Sequence, residues 1–288
     1  MKPLRKAVFP VAGLGTRNLP ATKTIAKEML PVVDRPLIQY AVDEALAAGI
    51  EQLIFVTGRG KGAMEDYFDI SYELERTMQD RGKSLDPLAP TRLRPGQLAY
   101  VRQQEPLGLG HAVWCARHLV GDEPFAVLLT DELLWNPEQP SISQLAETYT
   151  QKGGNVISVL EVLEDHCHRY GIVDPGTSEG DVTEVRGFVE KPAPGTAPSR
   201  LAAIGRYVLQ PEVMAILDKG ERGAGDEIQL TDALAKLIGS QPFHARTYRG
   251  ARYDCGDKAG FVQANLALAL ERADIGAEVR SFARDLLG

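Results

Sequence analysis

The chain has 288 residues, 44% hydrophobic and 25% charged, the balance of a soluble globular protein with room for one large domain or two small ones. A formal charge of −7 excludes broad electrostatic binding to nucleic acid or an anionic membrane, and no apolar run is long enough to span a bilayer. The three cysteines, Cys115, Cys167 and Cys255, are scattered without a C-x-x-C, which predicts free thiols and a cytoplasmic location.

The start, "MKPLRKAVFPVAGLG", turns from basic to apolar and meets glycines too soon for a secretory signal. "KAVFPVAGLG" reads as a buried strand entering a turn, "PLIQYAVDEALAAGI" as a helix with Leu37, Ile38, Ala41, Val42 and Ala45 on one face, and "EQLIFVTG" as a second buried strand. Strand, helix, strand is the βαβ unit of a parallel sheet. Residues 60–96 are charged and helical, then proline-rich, and form an insertion before "LAYVRQ" resumes the sheet. "GLGHAVWCARHLV" is a helix after a glycine turn, and "PFAVLLTDELL" one apolar strand ending in acids. "NVISVLEVL", "YGIVDPG" and "VTEVRGFVEKP" are strands. "AAIGRYVLQPEVMAILDKG" is strand then helix, "EIQLTDALAKLI" a helix, "FHARTYRGARYDCGD" strand-like, and 258–288 helical.

In an open α/β sheet, ligands sit beyond the carboxyl ends of the strands. The first such junction, "VAGLGTR", has neither the G-x-x-x-x-G-K-[ST] of a Walker A loop nor a Rossmann fingerprint, because Asn18 stands where the third glycine belongs. What it offers is Gly13 and Gly15, which let backbone N–H groups approach an anion, followed by Thr16, Arg17, Lys23 and Lys27. Cations after a glycine turn suit a triphosphate.

The string "GLGTR…P…K…KEMLPVVDRPLIQY" resembles the sugar-1-phosphate nucleotidyltransferases, and the resemblance runs on through "YVRQQEPLGLGHAVWCA", "HRYGIV", "VEKPAPGTAPS", "GAGDEIQLTDAL" and "RYDCGDKAGF". "EDYFDISYELE" in the insertion is similar to the uridylyltransferase branch and is absent from the thymidylyltransferases. The resemblance implies a single Rossmann-like, glycosyltransferase-A-like α/β domain over 1–288, with a mixed, mostly parallel sheet flanked by helices. It also implies the reaction: UTP and glucose 1-phosphate give UDP-glucose and pyrophosphate by in-line attack at the α-phosphorus. Positioning and charge neutralisation carry such a reaction.

Residue roles follow from the same resemblance. Ala12, Gly13, Gly15, Thr16 and Arg17 hold the nucleotide, with Arg17 and Lys27 clamping its phosphates. Glu28 is placed beside the nucleotide. Gln103 and the Gly108 backbone read the uracil, an edge that an amide suits because it both donates and accepts. Gly171 admits the sugar, Glu190 accepts from its hydroxyls and Lys191 neutralises its phosphate. Neighbours on a strand face opposite ways, so Glu190 and Lys191 meet one ligand only if the strand ends there. Asp131 and Asp254 hold Mg²⁺, a hard cation that prefers carboxylate oxygens, with Glu132 and Asp257 as alternatives. His111 reads as structural. A homodimer or homotetramer is implied.

The family pattern "GTRFLPATKAIPKEMLP" and "LLPDD" is broken at Asn18, Thr24, Ala26, Thr130 and Glu132. Losing two prolines is expected to loosen loops beside the phosphate and metal positions. Two alternatives stand beside the main reading: the same reaction with another base or sugar, such as dTTP, and a silent nucleotide-sugar-binding regulator.

Overall fold

The computed structural model describes residues 1–288. Its strands are β1 (Lys6–Pro10), β2 (Pro31–Val32), β3 (Arg35–Pro36), β4 (Gln52–Thr57), β5 (Leu98–Arg102), β6 (Phe125–Leu128), β7 (Glu132–Trp135), β8 (Asn155–Glu161), β9 (Gly171–Glu179), β10 (Val182–Glu190), β11 (Leu201–Leu209), β12 (Phe243–Thr247) and β13 (Ala251–Asp254). Its helices are α1 (Leu37–Ala47), α2 (Gly62–Tyr67), α3 (Tyr72–Asp80), α4 (Leu109–Cys115), α5 (Arg117–Val120), α6 (Ser141–Lys152), α7 (Val213–Leu217), α8 (Leu230–Leu237), α9 (Lys258–Glu271) and α10 (Gly276–Leu287).

Nine strands form one mixed sheet in the order β5-β4-β1-β6-β11-β8-β12-β10-β9. The first four run parallel, as the β1–α1–β4 crossover requires. Beyond β6 only β8 and β12 are parallel neighbours, and β11, β10 and β9 pair antiparallel. The parallel half carries the nucleotide-type junctions; the antiparallel half carries "YGIV" and "VEKP".

Alternation along the central strands explains the two cores. Val8, Ile54, Val56 and Val127 face α4, α7 and α8, while Ala7, Phe9, Leu53, Phe55 and Leu128 face α1 and α6. Strands buried on both faces read as continuous apolar runs, which is why "KAVFP" and "QLIFVT" are legible. No helix is long and apolar enough to cross a membrane.

Three elements differ from the sequence expectation. "PFAVLLTDELL" is two strands: β6 ends at Leu128, and β7 leaves the sheet to pair with β13. "FHARTYRGARYDCGD" likewise splits into β12, in the main sheet, and β13, outside it. The first break places Asp131 at a turn, and the second lets β13 leave the main sheet and end at Asp254. The third is α6, which the sequence reading leaves blank. Its Ile142, Leu145 and Tyr149 form a buried stripe between polar residues that mask the period.

Phe55 is fully buried and meets the rings of Phe9, Phe68 and Tyr100 edge-on, with centroids 5.1, 5.6 and 5.7 Å away. Phe55→Ala is expected to destabilise the fold by about 3–5 kcal/mol, read from the denaturant midpoint.

Candidate active site

The carboxyl ends of β1, β5 and β6 open onto a cavity of about 570 Å³ lined by Ala12, Gly13, Gly15, Thr16, Arg17, Lys27, Gln103, Gly108 and Asp131, among others. A second cavity of about 460 Å³ is lined by Arg17, Asp131, Glu132, Arg169, Gly171, Glu190, Lys191, Thr231 and Asp254, among others. The two share Arg17, Leu109, Leu129, Asp131 and Glu227, so they form one cleft whose halves meet at Asp131.

The glycine loop has the local geometry its residues predict. Gly15 sits at φ +67°, and Thr22 Oγ1 donates to its carbonyl at 2.6 Å, folding the loop back on itself. Lys27 Nζ donates to Asp131 Oδ2 at 2.7 Å, and Arg17 Nη2 stands 3.5 Å from the same oxygen. Burial alone would push the Asp131 carboxyl up, but the Lys27 ammonium and the Arg17 guanidinium together hold it below the ordinary carboxylate range. Burial works against the Lys27 ammonium too, and the charges of Asp131 and Glu28 outweigh it and raise its pKa.

Asp254 comes to the same place through the β7–β13 ribbon, where it pairs with Glu132. The following residue, Cys255, donates its N–H to the Asp131 carbonyl at 2.7 Å. Asp254 Oδ1 accepts from the Gly256 N–H at 3.0 Å, and Arg169 Nη2 stands 3.6 Å from Oδ2. Two carboxylates in one cleft repel each other. Lys27, Arg17 and Arg169 offset that repulsion here. The alternatives are otherwise engaged: Glu132 is held by Arg252 through contacts of 2.8 and 2.6 Å, and Asp257 caps α9 by accepting from Ala259 N–H.

In the sugar half, β10 ends at Glu190, and Lys191 adopts φ +44°. That left-handed residue breaks the strand alternation, and both side chains line the cavity. Glu190 Oε2 accepts from Thr231 Oγ1 at 2.7 Å, and Oε1 lies 3.4 Å from Lys191 Nζ. A Cβ on Gly171 would stand 3.0 Å from the Phe188 ring and 3.2 Å from Glu190 Oε2, so only glycine leaves this wall clear.

Glu28 does not line the cleft, and neither does Lys23. Glu28 is 1% exposed and its Oε2 accepts from Lys61 Nζ at 2.7 Å. Its carboxyl is pushed up by burial against the opposing pull of Lys61 and Lys27. Among the departures, Asn18 is buried and donates to the Cys255 carbonyl at 3.3 Å, which ties the glycine loop to the Asp254 turn. Ala26 adopts φ −58°, within the range a proline would impose.

Sequence reasoning assigned no role to Arg169, Thr231, Arg252 or Arg206. Arg206 had a signal: it is the one charged residue inside the apolar strand "LAAIGRYVL". It is 2% exposed, donates to both oxygens of Glu44, and reaches the carbonyls of Leu129 at 2.7 Å and Glu132 at 3.0 Å. Those carbonyls flank Asp131.

The nucleotidyl transferase family model matches residues 6–271. The chain belongs to that family. It is 50% identical to the UTP–glucose-1-phosphate uridylyltransferase of Bacillus subtilis, across all of this chain and 98% of that one. It is 54% identical to the protein of the same name from Komagataeibacter xylinus, over 90% of this chain and 91% of that one. Among solved structures it is similar to a UTP-bound UGPase from Acinetobacter baumannii, with a TM-score of 0.89 at 43% identity over 98% of this chain and 99% of that one. It is also similar to a UDP-glucose pyrophosphorylase complexed with UDP-glucose, with a TM-score of 0.83 at 41% identity over 93% of this chain and all of that one.

The Arg206–Glu44 pair is expected to behave as a buried ion pair. Arg206→Met strands a buried carboxylate and should cost about 3–5 kcal/mol in chemical denaturation. Adding Glu44→Met should restore much of that loss, because no charge is then left buried.

Proposed function

We propose that the chain transfers a uridylyl group from UTP to glucose 1-phosphate, giving UDP-glucose and pyrophosphate. The observation that carries the reading is the meeting of the two half-cavities at Asp131 and Arg17, with cations arranged on both sides. Relatives named for this reaction, at about half identity along the chain, support it.

Each residue has work that its position allows. The 12–17 loop takes the nucleotide phosphates on its backbone N–H groups. Arg17 and Lys27 neutralise the triphosphate and then the pyrophosphate as it leaves. Gln103 and the Gly108 N–H, which donates to nothing within the protein, read the pyrimidine. Glu190 and Thr231 take sugar hydroxyls, and Gly171 keeps the wall open for the ring. Lys191 holds the sugar phosphate, whose oxygen attacks the α-phosphorus in line. That oxygen is already anionic at neutral pH, so no general base is needed. Glu28 is assigned to the buried pair with Lys61 and not to the nucleotide.

Asp131 and Asp254 fit a divalent cation by donor chemistry: two carboxylates on adjoining backbone, in a cleft where phosphate oxygens complete the shell. We assign them to Mg²⁺, which when bound neutralises phosphate charge between an anionic nucleophile and an anionic electrophile.

The reading is tested by pyrophosphate release across four nucleoside triphosphates and several sugar 1-phosphates. UTP with glucose 1-phosphate should be the preferred pair. A preference for dTTP or another sugar would move the specificity, and no release with any pair would leave a silent binder. Lys191→Ala should raise KM for glucose 1-phosphate while UTP affinity, measured by calorimetry, holds. Asp131→Asn should lower turnover on the order of a hundredfold or more.

A further inference from the structure

Gln103 follows β5 and lines the nucleotide half of the cleft. Its Nε2 lies 3.0 Å from the Gly108 carbonyl oxygen and 3.1 Å from His111 Nδ1. A backbone carbonyl only accepts, so the amide atom that faces it is the nitrogen. One of the two amide protons goes to Gly108. The other points at His111, which makes Nδ1 the unprotonated, accepting ring nitrogen and puts the ring proton on Nε2. The far side of the ring agrees, because Nε2 faces Cys115 Sγ at 3.8 Å, and a thiol sulfur is a weak acceptor. The ring is held in place by stacking on Trp114, which is itself covered by Arg117 and donates to Asp218 at 2.9 Å.

Both protons of the Gln103 amide are therefore used inside the protein. Its Oε1 accepts nothing from the protein and is not buried. We propose that His111 sets the base specificity of the cleft by locking the Gln103 amide so that its oxygen, and not its nitrogen, is offered to the nucleobase. The proposal rests on Gln103 being the residue that reads the base.

The chemistry of the lock is simple. N3 of uracil carries a proton, and N3 of cytosine carries a lone pair. A fixed acceptor at this edge favours the first and opposes the second. An amide free to turn over would serve both, because its NH₂ group suits cytosine as well as its oxygen suits uracil. The acceptor-only Gly108 carbonyl opposes turning the amide over, and His111 takes the remaining amide proton, so no donor is left for cytosine. The Gly108 carbonyl acts in the same sense but alone would leave the second amide proton uncommitted. Thymine also carries a proton on N3, so the lock selects imide bases over cytosine and does not separate uracil from thymine. His111 touches no reacting atom and acts through Gln103, which makes it a positioning residue.

The test is the ratio of kcat/KM for UTP to that for CTP, measured on the full chain with glucose 1-phosphate as the second substrate. The variants are His111→Leu, His111→Phe, His111→Asn and Gln103→Ala. Leu removes the acceptor, and Phe removes it while keeping a ring against Trp114, so one of the two serves if the other fails to fold. Asn can set its Oδ1 where Nδ1 stands and keeps the acceptor. The UTP-to-CTP ratio should fall on the order of tenfold or more in His111→Leu and His111→Phe, the scale of one hydrogen bond misplaced. It should stay near the wild-type value in His111→Asn, and KM for glucose 1-phosphate should hold in all three. If Gln103→Ala lowers the ratio but Leu and Phe at His111 slow UTP and CTP alike, His111 is only structural and the proposal fails. If Gln103→Ala leaves the ratio unchanged, the reading of Gln103 fails and takes the lock with it.

Discussion

One buried guanidinium holds the cleft to the sheet. Arg206 lies on β11, next to β6, and spends its donors on Glu44 of α1 and on the carbonyls of Leu129 and Glu132. Glu44 in turn accepts from the N–H of Ile142 in the first turn of α6. A helix on one face, the start of a second helix, the middle of the sheet and the turn that bears Asp131 are therefore joined at one ion pair. The pair is sequestered from water, so it is not screened as a surface pair would be. Removing either partner leaves a charge with nowhere to go. The Asp131 turn needs such an anchor because it leaves the sheet. The Asp131 carbonyl accepts from Cys255 N–H, and Arg206 supplies donors to the carbonyls of Leu129 and Glu132.

The charges of the cleft form a second layer of the same design. On the proposed reading, Asp131 and Asp254 take a cation, and Lys27, Arg17 and Arg169 take phosphates. Without ligands they satisfy one another. On that reading, exchanging these internal pairs for substrate phosphates and a metal ion would keep the number of unpaired charges low throughout. It also explains why cations and carboxylates lie side by side instead of on opposite walls. Arg17 is the most exposed of the group, with 60% of its side chain open, and Lys27 is largely buried. Lys27 therefore belongs to the preorganised floor of the site, and Arg17 is free to follow a ligand.

Much of this was legible from residue order, for a physical reason. The parallel strands are buried on both faces and so read as apolar runs, and the glycine turn and the cations after it sit at a strand end, where such a sheet binds ligands. The failures have reasons as well. The buried face of α6 mixes Ile142, Leu145 and Tyr149 with polar Ser141, Gln144 and Thr148, so its stripe is thin, and two strands that looked continuous are each cut where the second piece leaves the sheet for the β7–β13 ribbon. Glu28 was placed beside the nucleotide by resemblance, and it lies next to Lys27 in sequence. The 3-10 turn at Lys27–Met29 points the two side chains to different partners, Asp131 for one and Lys61 for the other. Thr231 and Arg169 carry no local signal, because what matters about them is which distant strand they stand beside. By contrast the Glu190–Lys191 step could be reasoned through: alternation forbade a shared ligand unless the strand stopped, and the positive φ at Lys191 is how it stops.

The departure at Glu132 has a physical consequence of its own. The family pattern has an aspartate there, one methylene shorter. Glu132 spans from β7 to Arg252 on β13 and is gripped by two guanidinium nitrogens. Arg252 also reaches the Tyr170 hydroxyl at 3.3 Å, beside Gly171 in the sugar half. Glu132 thus holds Arg252 where it connects the ribbon that carries Asp254 to Tyr170, next to Gly171. Burial, with the nearby charges of Asp254 and Asp131, pushes the Glu132 carboxyl up to about 7 against the pull of Arg252. Such a group is held in place by its partner more than by solvent, and a carboxyl so engaged is poorly placed to take a second cation. The charge-bearing ends of the ribbon are divided accordingly: Glu132 fastens it, and Asp254 is left to face the cleft.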